Sequence, residues 1–206
     1  MTADSVTVLV GTTKGAFLVS GGSERESWTV RGPFCEGWPI NHVIGDPDTG
    51  TLWAGGGGEW HGAGVWRSED DGGTWELTKL TKGTMDEWAA NDPDFAAMIG
   101  WKDEPLPYGD AFSQIWSLGH AHGTLHAGTK PANLLKSTDG GKTWEHIRSL
   151  NEHPSADSWN PGAAGLVLHT IVSDPGNPEK LWLGISAAGV FATEDGGTEE
   201  GATSRR

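Results

Sequence analysis

The sequence has few cysteines, few basic residues and no long apolar run. Cys35 is its only cysteine, so an intrachain disulfide cannot form and nothing requires an oxidising compartment. Lysine and arginine total 14 against 28 aspartate and glutamate residues, giving a net charge of −14. That balance disfavours a nucleic-acid or anionic-membrane partner. No segment approaches the roughly 18 apolar residues of a membrane-spanning helix, and the N-terminus lacks a signal-peptide pattern. We expect a cytoplasmic protein without cofactor or metal.

Glycine and tryptophan, in contrast, are abundant. The 206 residues include 32 glycines and 12 tryptophans, and glycine usage is about twice the average of roughly 7 %. The glycines lie at turns between short apolar runs rather than in a low-complexity block. This distribution favours a turn-rich, all-β protein over a disordered one.

A short strand motif recurs four times along the chain. It reads VLVG at residues 8–11, LWAG at 52–55, LHAG at 125–128 and LWLG at 181–184. A second apolar strand follows each copy, and a preceding strand leads into the last three. A four-stranded antiparallel unit that repeats in this way is typical of a β-propeller blade. A β-sandwich is the alternative, but it does not require the same four-strand order each time.

The strand count predicts an all-β fold, a partial β-propeller of about three and a half four-stranded antiparallel blades. Fourteen strands are expected, and the first blade lacks its innermost strand. The predicted partial propeller domain is 1–197, with blade 1 at about 5–31, blade 2 at about 39–81, blade 3 at about 113–150 and incomplete blade 4 at about 165–197. An inserted loop at 82–112 and a disordered tail at 198–206 are predicted in addition to the blades.

Two blades share an eight-residue turn with the pattern S-x-D-x-G-x-T-W, at residues 68–75 and 137–144. The serine and aspartate can bond backbone amides of the turn between the third and fourth strands, and the glycine supplies conformational freedom. The tryptophan can pack under its own turn. The residues with this structural role are Ser68, Asp70, Gly72, Thr74, Trp75, Ser137, Asp139, Gly141, Thr143 and Trp144.

This turn resembles the Asp-box, or bacterial neuraminidase (BNR) repeat, of sialidase-like β-propellers, which sortilin-type receptors share. The resemblance covers residues 5–197 and is closest to soluble bacterial BNR-like repeat proteins. Such relatives are longer, and a third turn begins as TEDGG at 193–197 without continuing to Thr-Trp. We therefore expect a C-terminally truncated member. The alternative is a short protein that self-associates through its open blade edges.

The face opposite these turns is the candidate functional face. Its loops are rich in tryptophan, histidine and carboxylates, which suit a glycan, another small polar ligand or a protein partner. The candidate ligand-binding residues are Trp38, His42, Trp60, His61, His153, Trp159 and His169. The inserted loop contains a predicted short helix, with Asp92 as N-cap and Pro93 as its first residue.

Enzymatic activity is the second hypothesis. The resemblance implies that an active sialidase would need three arginines, a tyrosine with a glutamate and an aspartate, but the six arginines and single Tyr108 cannot supply that set. A glycoside hydrolase without the arginine triad stays open, with Glu36, Glu59 and Glu152 as candidate catalytic acids. Such an enzyme needs two carboxyl groups about 5 to 9.5 Å apart. An inactive fragment is the third hypothesis.

Two remaining features carry structural expectations. His120 and His122 lie near a turn on the same face as the S-x-D-x-G-x-T-W turns, where solvent exposure is expected. Cys35 is expected to be a small buried side chain, because the neighbouring Glu36 raises the pKa of the thiol and disfavours a nucleophilic thiolate.

Overall fold

The computed structural model describes residues 5–197 and 203–205, which form four antiparallel sheets. The sheets follow one another along the chain, and each keeps its strands in sequence order. They are the four blades of a partial β-propeller, as the repeat predicts.

The strands of the first two blades are β1 (Val6–Thr12), β2 (Gly15–Gly21), β3 (Trp28–Phe34), β4 (Ile40–Gly45), β5 (Leu52–Gly58), β6 (Gly62–Ser68) and β7 (Glu76–Lys79). The strands of the last two blades are β8 (Gln114–Ala121), β9 (Thr124–Lys130), β10 (Leu134–Ser137), β11 (Glu145–His146), β12 (Leu168–Ser173), β13 (Leu181–Ile185), β14 (Gly189–Thr193) and β15 (Thr203–Arg205). Two short 3₁₀ helices, Arg148–Leu150 and Ala156–Ser158, lie between blades 3 and 4.

The hydrophobic core lies between consecutive blades, in three clusters. One joins blades 1 and 2, one joins blades 2 and 3, and one joins blades 3 and 4. Alternation along the strands places these side chains. In β13, for example, Leu181, Leu183 and Ile185 are buried, whereas the residues between them point to the other face.

Blade 1 lacks an innermost strand within the described residues. Strand β1 packs against β4 in the same way that β5 packs against β8 and β9 against β12. Because β5 and β9 are second strands of their blades, β1 also occupies the second position. The sequence analysis predicted this vacancy.

The final glycine of the recurrent motif lets the next blade approach closely. A Cβ at Gly11 would lie 2.6 Å from the Ile40 carbonyl oxygen, and one at Gly55 would lie 2.6 Å from the Ile115 side chain. A larger residue at either position would push the innermost strand of the next blade away.

The two S-x-D-x-G-x-T-W turns share the hydrogen bonds that their serine, aspartate and threonine side chains form. The Gly141 amide donates to Ser137 Oγ at 2.8 Å, and the Thr143 amide and hydroxyl donate to Asp139 at 3.0 and 2.6 Å. Ser68, Asp70, Gly72 and Thr74 repeat this set in blade 2, with the Gly72 amide 2.9 Å from Ser68 Oγ. The Trp144 indole donates back to the Gly141 carbonyl at 3.0 Å, and the half-buried Trp75 packs on Phe34, with ring centroids 5.9 Å apart.

The third turn keeps the first half of this pattern. Thr193 replaces the serine, and its hydroxyl accepts from the Gly197 amide at 3.0 Å. Beyond the turn, residues 203–205 form β15 on the edge of β14, where the sequence analysis expected a tail without a strand. These three residues have no alternating apolar pattern, so pairing with β14 defines the strand. The rest of the predicted tail lies outside the described residues.

The inserted segment 82–112 contains two helices, α1 (Thr84–Asn91) and α2 (Pro93–Ile99). Helix α2 begins as predicted, with the Asp92 carboxylate accepting from the Asp94 and Phe95 amides at 3.0 Å. Helix α1 was not predicted, because its first turn follows glycine rather than a side-chain cap. Neither helix, nor any other helix in the described ranges, has the length and apolarity needed to cross a membrane.

Candidate functional site

A buried ion pair fastens the inserted segment to blade 2. Asp86 of α1 is buried, and its two oxygens lie 2.5 and 2.6 Å from Lys79 Nζ at the end of β7. The same carboxylate accepts from the Gly83 amide at 2.8 Å and from the Trp101 indole at 3.1 Å. These additional donors satisfy the buried charge and fix the start of α1.

The hairpin between β5 and β6 meets the start of α1. The Thr84 amide donates to the Glu59 carbonyl at 2.8 Å, and the Met85 amide donates to the Trp60 carbonyl at 3.0 Å. A Cβ at Gly83 would lie 2.5 Å from the Trp60 carbonyl oxygen, so this contact requires glycine. The hairpin thereby satisfies the first amides of the helix and brings Trp60 next to it.

This contact creates a row of aromatic rings at the surface, two of them exposed and the third, Phe95, half-buried. The Trp60 and Trp88 rings lie 5.2 Å apart at 84°, and the Trp88 and Phe95 rings lie 6.3 Å apart at 67°. Trp60 is 39 % exposed and Trp88 is 58 % exposed. A shallow groove of about 470 Å³ beside them is lined by Glu87, Trp88, Asn91, Asp92 and Phe95. We call Trp60, Trp88 and Phe95 the aromatic row.

Three other predicted ligand-binding residues pack blades and loops together. Trp38 is buried against the edge of Trp66 at 5.9 Å and faces His61 at 5.0 Å. Burial lowers the pKa of His61, and the nearby Lys79 lowers it further while Asp86 opposes the shift. His42 Nδ1 accepts from the Leu118 amide of blade 3 at 2.9 Å, and burial lowers its pKa. These contacts keep both imidazoles neutral near pH 7.

The remaining predicted residues lie around blade 4. His153 packs edge-on against Phe191 at 5.2 Å, and Trp159 packs on the same ring at 5.0 Å. Ser155 Oγ lies 2.8 Å from His153 Nδ1 and accepts from the Trp159 indole at 2.9 Å. His169 is exposed and lies 2.8 Å from the hydroxyl of Thr170. The sequence-predicted residues therefore occupy several sites rather than one pocket.

The three candidate catalytic carboxylates are exposed and lie on three separate loops. Glu36 lies between blades 1 and 2 with φ of 50°, Glu59 lies in the β5–β6 hairpin, and Glu152 follows the first 3₁₀ helix. A general acid in a glycosidase normally needs an apolar environment that raises its pKa. All three side chains are instead exposed to solvent.

Tyr108 and Arg31 have structural contacts. The Tyr108 hydroxyl donates to the Trp144 carbonyl at 2.7 Å, and burial, assisted by Glu145, raises its pKa. The Arg31 guanidinium lies within β3 and donates to the Asp71 carbonyl at 2.9 Å, in the turn of blade 2. This bond places the Arg31 side chain beside the turn of blade 2.

A second cleft lies on the face of the turns, between blades 2 and 3. Its volume is about 700 Å³, and its walls include Asp46, Trp53, Arg67, His120 and His122. His120 stacks over Trp53 at 4.9 Å, whereas His122 is exposed and contacts the Asp174 carbonyl at 2.8 Å. Sequence reasoning missed this cleft, because the stack depends on two blades meeting.

The described residues contain no group of three or more His, Cys, Asp or Glu side chains placed to hold a metal ion. Cys35 is buried, and burial raises the pKa of its thiol to about 12, with Glu36 adding to the shift. The side chain is therefore an inert part of the cluster between blades 1 and 2.

Comparison with solved structures shows the fold. The GH74 enzyme of Niastella koreensis matches with a TM-score of 0.54 at 16 % identity, covering 97 % of this chain and 28 % of that one. A candidate 6-phosphogluconolactonase of Bacteroides fragilis matches at 0.54 and 13 %, covering 98 % and 53 %. Another from Bacteroides uniformis matches at 0.55 and 10 %, with the same coverage.

This chain therefore spans about half or less of the length of those structures. No protein-family model matches it, and no curated protein sequence does. At these identities the likeness shows a shared β-propeller architecture alone.

Proposed function

We propose that this chain is a β-propeller binding module that holds a carbohydrate on the aromatic row. The observation that carries this proposal is the exposure of Trp60 and Trp88 beside a groove with polar walls. An exposed indole face suits the C–H face of a sugar ring, and carboxylate and amide groups beside it suit the hydroxyls.

The anchoring of the row supports this function. Because Asp86 and the β5–β6 hairpin fix α1, the rings lie on a rigid support and lose little freedom when a ligand binds. Asn91 and Asp92 lie on the groove wall, with Asn91 held by the Glu87 carbonyl at 2.7 Å.

The S-x-D-x-G-x-T-W turns support a relationship to the Asp-box propellers. Under this interpretation the turns stabilise the blades, and the ligand binds on the opposite face of the propeller. Binding is better supported than hydrolysis, because the candidate carboxylates Glu36, Glu59 and Glu152 are exposed on separate loops.

Titration with soluble β-glucan, α-glucan and galactan oligosaccharides tests the proposal, with calorimetry as the readout. We expect one of the three classes to bind with a dissociation constant of about 1 mM or tighter. Trp88→Ala should weaken that binding at least about tenfold, which is 1.4 kcal/mol. Trp28→Ala is the matched control, since Trp28 is 43 % exposed but lies in blade 1.

Absence of saturable binding to all three classes would refute the carbohydrate proposal, as would unchanged affinity in Trp88→Ala. Turnover of aryl-glycosides that disappears in Glu36→Gln, Glu59→Gln or Glu152→Gln would instead establish the hydrolase hypothesis.

A further inference from the structure

The rings of the aromatic row are steeply tilted against one another. The Trp88 ring lies at 84° to the Trp60 ring and at 67° to the Phe95 ring, with centroids 5.2 and 6.3 Å away. The face of an aromatic ring carries partial negative charge. Rings that stand nearly at right angles can present their faces to one ligand from two directions, an arrangement that suits an organic cation.

No cation of the chain occupies these faces. Elsewhere in the protein, Lys130 Nζ lies 5.7 Å from the centre of the Trp116 ring, and Lys180 Nζ lies 5.4 Å from that of Trp182. Among the described residues, no lysine or arginine lies over a ring of the aromatic row in this way. The exposed faces of the row are therefore accessible to a cation that a ligand brings.

Acidic side chains set the sign of the groove beside the row. Glu87 and Asp92 lie on its wall, and both are exposed. Residues 83–101 contain no lysine, arginine or histidine. Lys79, which contacts α1, is neutralised by Asp86, whose two oxygens lie 2.5 and 2.6 Å from its Nζ. The local field therefore favours a positively charged ligand.

The two carboxylates on the groove wall differ in what they already bind. Asp92 caps α2 and accepts from the Asp94 and Phe95 amides at 3.0 Å. Glu87 belongs to none of the ion pairs among the described residues, and it directly precedes Trp88 in α1. Glu87 should therefore contribute more than Asp92 to the binding of a cation.

We propose that the aromatic row selects a carbohydrate that carries a protonated amine, such as an oligomer of glucosamine. This inference rests on the proposed function and adds the charge of the sugar to it. One sugar ring packs its C–H face on an indole, and the ammonium group lies against a second ring and the Glu87 carboxylate. A neutral sugar makes the first of these contacts without the second.

Three tetrasaccharides with the same β-linkage test the proposal by calorimetry. They are the tetramers of glucose, N-acetylglucosamine and glucosamine, which carry a hydroxyl, an acetamide and an amine at one ring carbon. At about pH 5.5 the amine is protonated and ordinary carboxyl groups, with pKa values near 4, are ionised. In about 20 mM salt, the glucosamine tetramer should bind about tenfold more tightly than the other two. In about 0.5 M salt this advantage should shrink, because the Debye length falls to a few ångströms.

Charge-removing variants locate the preference. Glu87→Gln should weaken binding of the glucosamine tetramer about threefold and leave the affinity for the glucose tetramer unchanged. Asp92→Asn, which can still cap α2, should have a smaller effect in the same direction. Glu145→Gln is the matched control, because it removes an exposed carboxylate from blade 3 and should leave both affinities unchanged. Far-UV circular dichroism checks that each variant is folded.

Equal affinity for the three tetramers would overturn this inference, while the binding itself would uphold the proposed function. Absence of binding to all three would also overturn it, and the titrations with α-glucan and galactan would then decide the proposed function separately. A preference for the amine that falls as much in Glu145→Gln as in Glu87→Gln would overturn it too. That result would assign the attraction to the net charge of −14 rather than to the groove.

Discussion

Two tryptophans at the same place in the strand motif should differ strongly in their contribution to stability. Trp53 of blade 2 is buried between two blades, and Trp182 of blade 4 lies on an open face. We predict that Trp53→Ala destabilises the fold far more than Trp182→Ala does, because within the described residues a neighbouring blade covers the indole of Trp53 and none covers that of Trp182.

The expected magnitude follows from the contacts. Replacing a buried tryptophan by alanine costs about 3–5 kcal/mol, and this figure includes the bond to the Gly140 carbonyl, itself about 0.5–1.5 kcal/mol. Trp182→Ala removes a half-buried ring with no such bond and should cost about 1 kcal/mol. For a chain of this size, Trp53→Ala should lower the melting temperature by roughly 10 °C.

Urea unfolding followed by far-UV circular dichroism measures the difference. Each substitution is made separately in the otherwise unchanged chain, and the two variants are compared at the same protein concentration. Equal losses of unfolding free energy in the two variants would refute the reasoning, because they would show that the blade interface contributes nothing to the role of Trp53.

Three further predictions concern single titratable groups. Hydrogen bonds from Thr143 hold the pKa of Asp139 below its usual value, so the ionised carboxylate stabilises the folded chain. Asp139→Asn should therefore lower the melting temperature at pH 7, and this difference from the unchanged chain should shrink as the pH falls below about 4. Burial lowers the pKa of His126 to about 4. Because the unfolded chain binds this proton at a higher pH than the folded chain does, the free energy of unfolding should decrease as the pH is lowered from about 6.5 to about 4. His126→Leu should flatten the slope of melting temperature against pH in that range. With a thiol pKa of about 12, Cys35 should resist iodoacetamide in the native protein and react in urea; labelling of native protein, read by mass spectrometry, would contradict its burial.

Local features could be predicted from the sequence because they depend on residues close together in the chain. Three such features are the alternating burial along β13, the hydrogen bonds of Ser137 and Asp139 in their turn, and the Asp92 cap of α2. Each involves residues only a few positions apart. The vacancy at the innermost position of blade 1 was also predictable, because it follows from the order of the repeated strands.

The candidate site depended on contacts between distant segments. Sequence composition grouped Trp38, His42 and His61 with Trp60, yet the first three bind other blades and loops, and only Trp60 joins the exposed row. Helix α1 begins where the β5–β6 hairpin supplies carbonyl acceptors. Glu59, which accepts from Thr84, lies 25 residues away in the chain.

The sequence by itself determined the four-strand repeat, its turns and the all-β class, since strand alternation and turn hydrogen bonds are short-range. Only the tertiary structure decided which aromatic rings are buried between blades and which stay exposed. The reason is physical: Trp53 and Trp182 share one sequence context, and whether a neighbouring sheet covers the indole is a property of the assembled blades.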